Sequence, residues 1–182
     1  MAAKSLRETD QFQMGRRGER VVKSMYQSLG YWVIPSYDYA GPDGDMAPSL
    51  QSNGRWLPLP DLDTSRGGKR RWIEVKTKKH PTFHEMTRQW EEGIDLDKYQ
   101  RYLDVQSITG AEIWLAFYEL DTQTVLHQSL DHLAGVVRIY DGDKMGPHGM
   151  AFFPRTELLL LGTVRWTGGM PRFELASEAP KP

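Results

Sequence analysis

Asp61, Glu74 and Lys76 are charged residues in stretches that otherwise suit β-structure. Glu74 and Lys76 lie within "RRWIEVKTK". Alternation there sets Trp72, Glu74, Lys76 and Lys78 on one face of a strand and Ile73, Val75 and Thr77 on the other, the expected core face. Upstream, Leu57 to Asp63 reads as a partner arm whose Leu57, Leu59, Asp61 and Asp63 share a face. "SRGGK" is the turn between the arms, because its two glycines accept positive φ. Pairing around that turn brings Asp61 beside Glu74 or Lys76, so two carboxylates and one ammonium converge.

Such a cluster has a defined chemistry. Mg²⁺ takes hard oxygen ligands and keeps several waters. Two carboxylates and a backbone carbonyl, such as that of Val75, meet that demand. An ion so held can polarise a phosphoryl oxygen and lower the pKa of a bound water. Lys76 could orient the attacking water or stabilise charge on a pentacovalent phosphate. The reaction implied is hydrolysis of a phosphodiester. Glu19, within "GRRGERVV", falls beside Tyr26 at the edge of a helix's apolar face. Its carboxylate would point toward whatever the helix packs on. The other reading is a surface glutamate paired with Arg16 or Lys23.

The elements that must position these residues can be read from periodicity. Val21, Val22, Met25, Tyr26 and Leu29 predict a helix over 9–29, stopped by Gly30. "YWVIPS" is a short strand, and residues 36–56 are a loop or an irregular hairpin. After the hairpin of 57–79, the chain is expected to be irregular from His80-Pro81 to about Gly93. A second helix runs over 96–108, with Asp95 as N-cap, Gly110 past its end, and Tyr99, Tyr102, Leu103 and Gln106 on one stripe. "EIWLAFYEL" (112–120) is a buried strand. "LDHLAG" is a short helix, and "VVRIYDG", "MAFFP" and "LLLLGTVRW" are further strands. The layout is mixed α/β (α+β): an α-β-β-β-α-β core over about 9–120, a β-rich extension over about 121–176 and a frayed tail at 177–182, all in one domain.

Composition narrows the partners. The net charge of −1 is unlike that of a purely electrostatic nucleic-acid binder. Yet Arg16, Arg17, Arg20 and Lys23 cluster, as do Arg66, Lys69, Arg70, Arg71, Lys76, Lys78 and Lys79. These gain meaning where they flank a site, and otherwise are solvated surface. No apolar run reaches the roughly 18 residues of a membrane span. The N-terminal "MAAKSLRETDQFQ" lacks a signal peptide's apolar core. The absence of cysteine excludes disulfides and thiolate zinc sites. A cytoplasmic protein is expected.

Pro60-Asp61, then Glu74-Val75-Lys76, preceded by "GxxGE" at 15–19 on the first helix, resemble the PD-(D/E)xK nuclease superfamily, which has the restriction-endonuclease-like fold. The resemblance covers about 12–120. It implies a central mixed sheet flanked by helices and Mg²⁺-dependent hydrolysis of DNA, with Mn²⁺ as a substitute. It also implies that Asp61 and Glu74 are metal ligands, Lys76 is the catalytic lysine, and Glu19 binds metal indirectly or places a water. Asp63 is a rival to Asp61, which Pro60 favours. Some members carry Gln-x-x-x-Tyr on the next helix. Here Lys98 stands at the glutamine position and Tyr102 at the tyrosine, so the two could approach DNA together or Tyr102 could be core. "DLDKYQRYLDVQSITGAEIWLAFYE" is also similar to a segment of small nucleases of phages and mobile elements.

Arg16, Arg17, Lys78, Lys79, Lys98 and Tyr102 are thus the DNA-contacting candidates. A homodimer or a recruiting protein partner is compatible with the absence of a recognition module. Two other readings stay open: a non-catalytic binding module that reuses the fold, and an assembly protein in which Glu74 and Lys76 form only an ion pair. His80 and His84 have ligand spacing only on a helix, which Pro81 opposes. Asp43 and Asp45, like Asp141 and Asp143, are read as turns. His127, His132 and His148 have no evident partner. Trp72 could stack on a base or pack under a helix.

Overall fold

The computed structural model describes residues 10–36, 49–52, 54–140 and 149–177. Asp43, Asp45, Asp141, Asp143 and His148 lie outside them.

The first helix, α1 (Asp10–Ser28), buries Val21, Val22, Met25 and Tyr26, the stripe its spacing demands. It ends as expected. Gly30 takes φ 84°, and its N–H bonds to Gln27 O while Tyr31 N–H reaches Tyr26 O, a Schellman closure. The two rings of Tyr26 and Tyr31 then meet edge-on.

A seven-stranded mixed sheet runs in the order β1-β4-β5-β8-β9-β12-β13. Its strands are β1 (Trp32–Pro35), β4 (Leu62–Arg66), β5 (Lys69–Lys78), β8 (Glu112–Glu119), β9 (Thr124–Ser129), β12 (Leu159–Thr167) and β13 (Met170–Leu175). Among the described residues only β5 and β8 pair in parallel, Glu74 opposite Leu115 and Lys78 opposite Glu119. A parallel pair needs a crossover. Here it comprises β6 (Thr82–His84), β7 (Gln89–Asp95) and α2 (Leu96–Thr109). β7 joins β6, β10 (Arg138–Tyr140) and β11 (Met150–Pro154) in a second sheet, and β2 (Ser49–Ser52) pairs with β3 (Arg55–Pro58) in a third.

The main sheet is covered on both faces. Ile73, Val75, Trp114, Ala116 and Tyr118 pack with α1. Trp72, Leu115 and Phe117 pack with Tyr99, Tyr102 and Val105 of α2, and with Leu130 and Leu133 of α3 (Leu130–Ala134). The expectation that Ile73 and Val75 mark the core face is therefore incomplete. Glu74, on the opposite face, is just as buried, with 2 % of it exposed. Trp72 belongs to the packing under α2.

Three expectations about elements are corrected. Leu57 to Asp63 is not one arm: β3 ends at Pro58, and β4 begins at Leu62. The kink falls at Pro60, whose missing N–H cannot extend a ladder. Residues 80–93 are not irregular but largely the β6–β7 hairpin, in which Phe83 faces Trp90. Its polarity misled because Glu91 and Glu92 are buried there, Glu91 ion-paired with Arg138 and Glu92 with Lys78. Asp95 precedes α2 but makes no side-chain cap bond. Gly110, at φ 67°, closes that helix as expected.

Candidate active site

The site forms where β4 leaves β5. Pairing runs from Arg66 opposite Lys69 to Leu62 opposite Ile73. The next β5 N–H on that edge, that of Val75, has no strand partner there; instead it donates to Asp61 Oδ2 at 2.8 Å. Asp61 thus supplies with its side chain the acceptor that a longer β4 would supply with its backbone. The carboxylate is thereby fixed beside the next two residues of β5. Asp61 also anchors the other flank, its carbonyl accepting from Ser36 N–H at 2.7 Å. Asp63 is excluded from this spot. It faces Trp72 across the pair and is held by Arg70 through two bonds of 3.0 and 2.6 Å.

Glu74 points under α2. Its Oε1 lies 2.7 Å from Lys76 Nζ and 4.0 Å from Lys98 Nζ. The Tyr102 hydroxyl adds to the pull on the carboxylate. Tyr102 itself is buried at 1 % exposure, so it supports Glu74 from within the core rather than meeting DNA. Lys98 is partly open to solvent and reaches the same carboxylate, so i and i+4 of α2 act together on Glu74. Sequence reasoning paired Lys98 with DNA phosphate; the signal for this second role was its one-turn offset from Tyr102.

Glu19 comes from the opposite face. Gly18 lets α1 approach β5 so closely that a Cβ there would overlap Thr77 Oγ1. This brings Glu19 to the open edge of β5. Its Oε2 is held by Arg16 at 2.7 Å. Glu19 is therefore both paired with Arg16 and within electrostatic reach of the other acids.

These acids press on one another. Burial, then the charges of Glu74 and Glu19, push Asp61 well above the usual carboxylate range. Burial also raises Glu19, against Arg16. Burial alone would raise Glu74, but Lys76 and Lys98 override it and hold Glu74 below its ordinary value. Lys76 loses by burial and gains more from Glu74 and Asp61, so it stays an ammonium. The net result is a cluster short of positive charge at Asp61.

A divalent cation fits this donor set. Glu74 Oε2 is buried without a hydrogen-bond partner among the described residues. Asp61 offers its second oxygen, and Glu19 stands nearby. Among the described residues no three His, Cys, Asp or Glu side chains form a ready metal cage. A site built on Asp61 and Glu74 would leave the rest of an ion's coordination to water.

Further along the same face of β5, Lys78 Nζ lies 3.6 Å from Glu92 Oε2, and Glu119 is clamped by Arg155 at 2.6 and 3.0 Å. Lys78 is thus occupied by an ion pair, whereas Lys79 is exposed. Burial, helped by the nearby Glu119, pushes Glu92 up to about 7 from 4.5. Between these values the unfolded chain gives up the proton while the native state keeps it. Stability on this account falls as pH rises from about 4.5 to about 7 and is level above. Glu92→Gln is expected to flatten that slope in thermal melts across the window.

His84, His127 and His132 have structural partners. His84 is buried on β6, with Nε2 3.5 Å from Glu91, and stacks on Tyr140, so it does not join exposed His80. His127 meets the Tyr26 hydroxyl at 2.8 Å. Burial holds its pKa down at about 4. His132 pairs with Glu157 at 3.0 Å.

The order α1, three consecutive sheet strands β1-β4-β5, α2 and β8, with Asp61 and Glu74-Val75-Lys76 meeting where β4 departs, settles the architecture. The fold is restriction-endonuclease-like. No family model matches the chain, and a search of curated proteins gives no match. Among solved structures the chain is similar to Hjc, a Holliday junction resolvase from Archaeoglobus fulgidus (17% identity, TM-score 0.48, covering 79% of this chain and 90% of that one). It is also similar to D212, a nuclease from a fusselovirus (11% identity, TM-score 0.44, covering 88% and 90%). No helix among the described residues is long and apolar enough to cross a membrane.

The restriction-endonuclease-like core leaves a basic groove between α1 and the β12–β13 hairpin. It encloses about 640 Å³ and is lined by Arg17, Arg20, Lys23 and Trp166 among others. The Arg17 guanidinium lies over the Trp166 ring at 4.2 Å.

Proposed function

We propose that this protein is a Mg²⁺-dependent nuclease that hydrolyses DNA phosphodiester bonds. The observation that carries the reading is the junction of Asp61, bonded to Val75 N–H, with Glu74 and its Lys76 partner at one opening in the sheet. Asp61 and Glu74 would hold the ion, with the Val75 carbonyl and Glu19 at its margin. When bound, the ion neutralises phosphate charge and makes water a better nucleophile at neutral pH.

The chain's own residues do the rest. Lys76 remains an ammonium and stabilises negative charge developing on the phosphorane oxygens. Lys98, across Glu74 from the sheet, keeps that carboxylate ionised and contacts a flanking phosphate. Tyr102 fixes Glu74's rotamer. Glu19, turned by Arg16, orients the water that attacks. Arg17, Arg20, Lys23 and Lys79 bind backbone phosphates, which position DNA without specifying sequence.

Lys98→Ala is expected to weaken DNA binding and lower the slope of log K against log salt by about one, because one phosphate contact is lost. Fluorescence anisotropy over a salt series measures this.

The reading is tested with linear, circular and branched DNA incubated with Mg²⁺, Mn²⁺ or EDTA, using wild type and Glu74→Gln. Metal-dependent cleavage by wild type that the variant lacks supports it. Binding without cleavage under every condition would favour a non-catalytic module, and neither binding nor cleavage would favour an assembly role.

A further inference from the structure

We propose that the β6–β7 hairpin is a base-stacking platform that makes the protein prefer DNA with an unpaired or splayed base next to the cut. This rests on the nuclease reading and adds a substrate class to it. Phe83 and Trp90 face each other across the hairpin, with ring centroids 5.1 Å apart. Both are large aromatics left about half exposed, at 46 % and 51 %. Met86 at the tip is 86 % exposed.

The platform is continuous with the active site. Trp90, Glu92 and Ile94 alternate onto one face of β7. Ile94 packs in the core under α2, and Glu92 meets Lys78. Lys78 is two residues from Lys76 on the same face of β5. The aromatic pair therefore forms the outer lip of the face that carries Glu74 and Lys76.

Its surroundings select a nucleic acid. Lys79 and Arg88 are exposed on either side, against Glu85 alone as an exposed acid in the turn. Beside the Trp90 ring a cleft of about 280 Å³ is lined by Arg88, Gln89, Arg155 and Thr156. That volume is at the floor of the range for small-ligand pockets, so the cleft takes one small group beside the ring. Two rings and a methionine are also too small a patch to hold a protein partner, which buries about 1,200 Å² or more. Every base has a π-face, so such rings grip a splayed base with little regard to sequence. In a continuous duplex the bases are stacked on each other and offer no free face.

The test compares forked DNA, carrying 2-aminopurine at the branch point, with duplex DNA of equal length. Binding is measured in EDTA so that cleavage is not involved. Wild type is expected to bind the fork about 10-fold tighter than the duplex and to quench 2-aminopurine. Trp90→Ala and Phe83→Ala should bring that ratio near one while duplex affinity and melting temperature hold. Trp90→Phe should keep most of the preference, and Ile139→Ala, an exposed apolar residue on β10, should change nothing. Equal affinity of wild type for fork and duplex, or an unchanged ratio in both alanine variants, would overturn the proposal. So would a shift in sedimentation on Trp90→Ala with the ratio intact, since the patch would then be a protein interface. Failure of the nuclease reading shows separately, as absence of cleavage by wild type on any DNA.

Discussion

Lys76→Met is expected to lower the single-turnover rate of Mg²⁺-dependent cleavage by about 100- to 1,000-fold, the usual cost of removing a charge stabiliser from a transition state. DNA affinity should change by no more than about threefold, since one phosphate contact among many is lost. The reasoning starts from the ion pair. Lys76 Nζ sits 2.7 Å from Glu74 Oε1, and the Glu74 side chain is 2 % exposed. Taking the ammonium away leaves Glu74 with Lys98 at 4.0 Å as its nearest cation. A partly uncompensated buried carboxylate then destabilises the fold by about 1–3 kcal/mol. Melting temperature must therefore be recorded beside the rate. Lys76→Arg keeps the charge but spreads it over a larger planar head, and is expected to recover stability more than rate. A variant that melts early yet cuts at the wild-type rate would show that Lys76 is only a structural partner of Glu74.

Gly18→Ala should be the most damaging single-methyl change near the site. Its Cβ would overlap Thr77 Oγ1 and lie 3.1 Å from Thr77 Cβ, so α1 must lift from β5. Overpacking of this kind costs about 1–3 kcal/mol. At roughly 2–4 °C per kcal/mol for a chain of this size, the melting temperature drops by several degrees. Because Glu19 follows directly, cleavage should fall beyond the loss in folded fraction. Gly15 offers the contrast. It lies on the same helix with nothing within 4 Å of its Cβ position. Gly15→Ala should stabilise by up to about 1 kcal/mol through helix propensity. Adding Thr77→Ala to Gly18→Ala removes the clashing oxygen and should restore much of the loss, a coupling that a double-mutant cycle reads directly. Calorimetric melts of Gly15→Ala, Gly18→Ala, Thr77→Ala and the Gly18→Ala/Thr77→Ala double variant check the set.

What the sequence made legible follows from how local each signal is. The α1 stripe, its Gly30 stop, α2 and the β8 run each carry their pattern within a few turns of chain, and each forms where expected. Asp61 was legible by its place before a Gly-Gly turn, though for an incomplete reason. It was expected inside a strand, but acts where the strand ends, bonding the Val75 N–H left over. The β6–β7 hairpin stayed hidden because Glu91 and Glu92 put two adjacent charges in β7, and the cations that pair with them, Arg138 and Lys78, lie 47 and 14 residues away. Strands β9 and β13 were missed for want of local signal. Gln128 and His127 break the apolar run in one, and Met170–Leu175 alternates half-exposed residues on an edge in the other. The i, i+4 spacing set Lys98 and Tyr102 on one face of α2, but the burial of Tyr102 depends on how α2 lies over the sheet, which no spacing encodes.

The central claim is that Asp61 and Glu74 hold a divalent cation beside Lys76 and that this site cuts DNA. Asp61→Asn tests it most directly. Asparagine keeps an oxygen to accept from Val75 N–H, so the fold should persist while the charge is gone. Single-turnover cleavage of labelled DNA should be rapid for wild type in Mg²⁺ and absent in EDTA. It should be at least about 100-fold slower for Asp61→Asn at equal DNA occupancy. Equal cleavage by wild type and Asp61→Asn, or cleavage by wild type that persists in EDTA, would contradict the account.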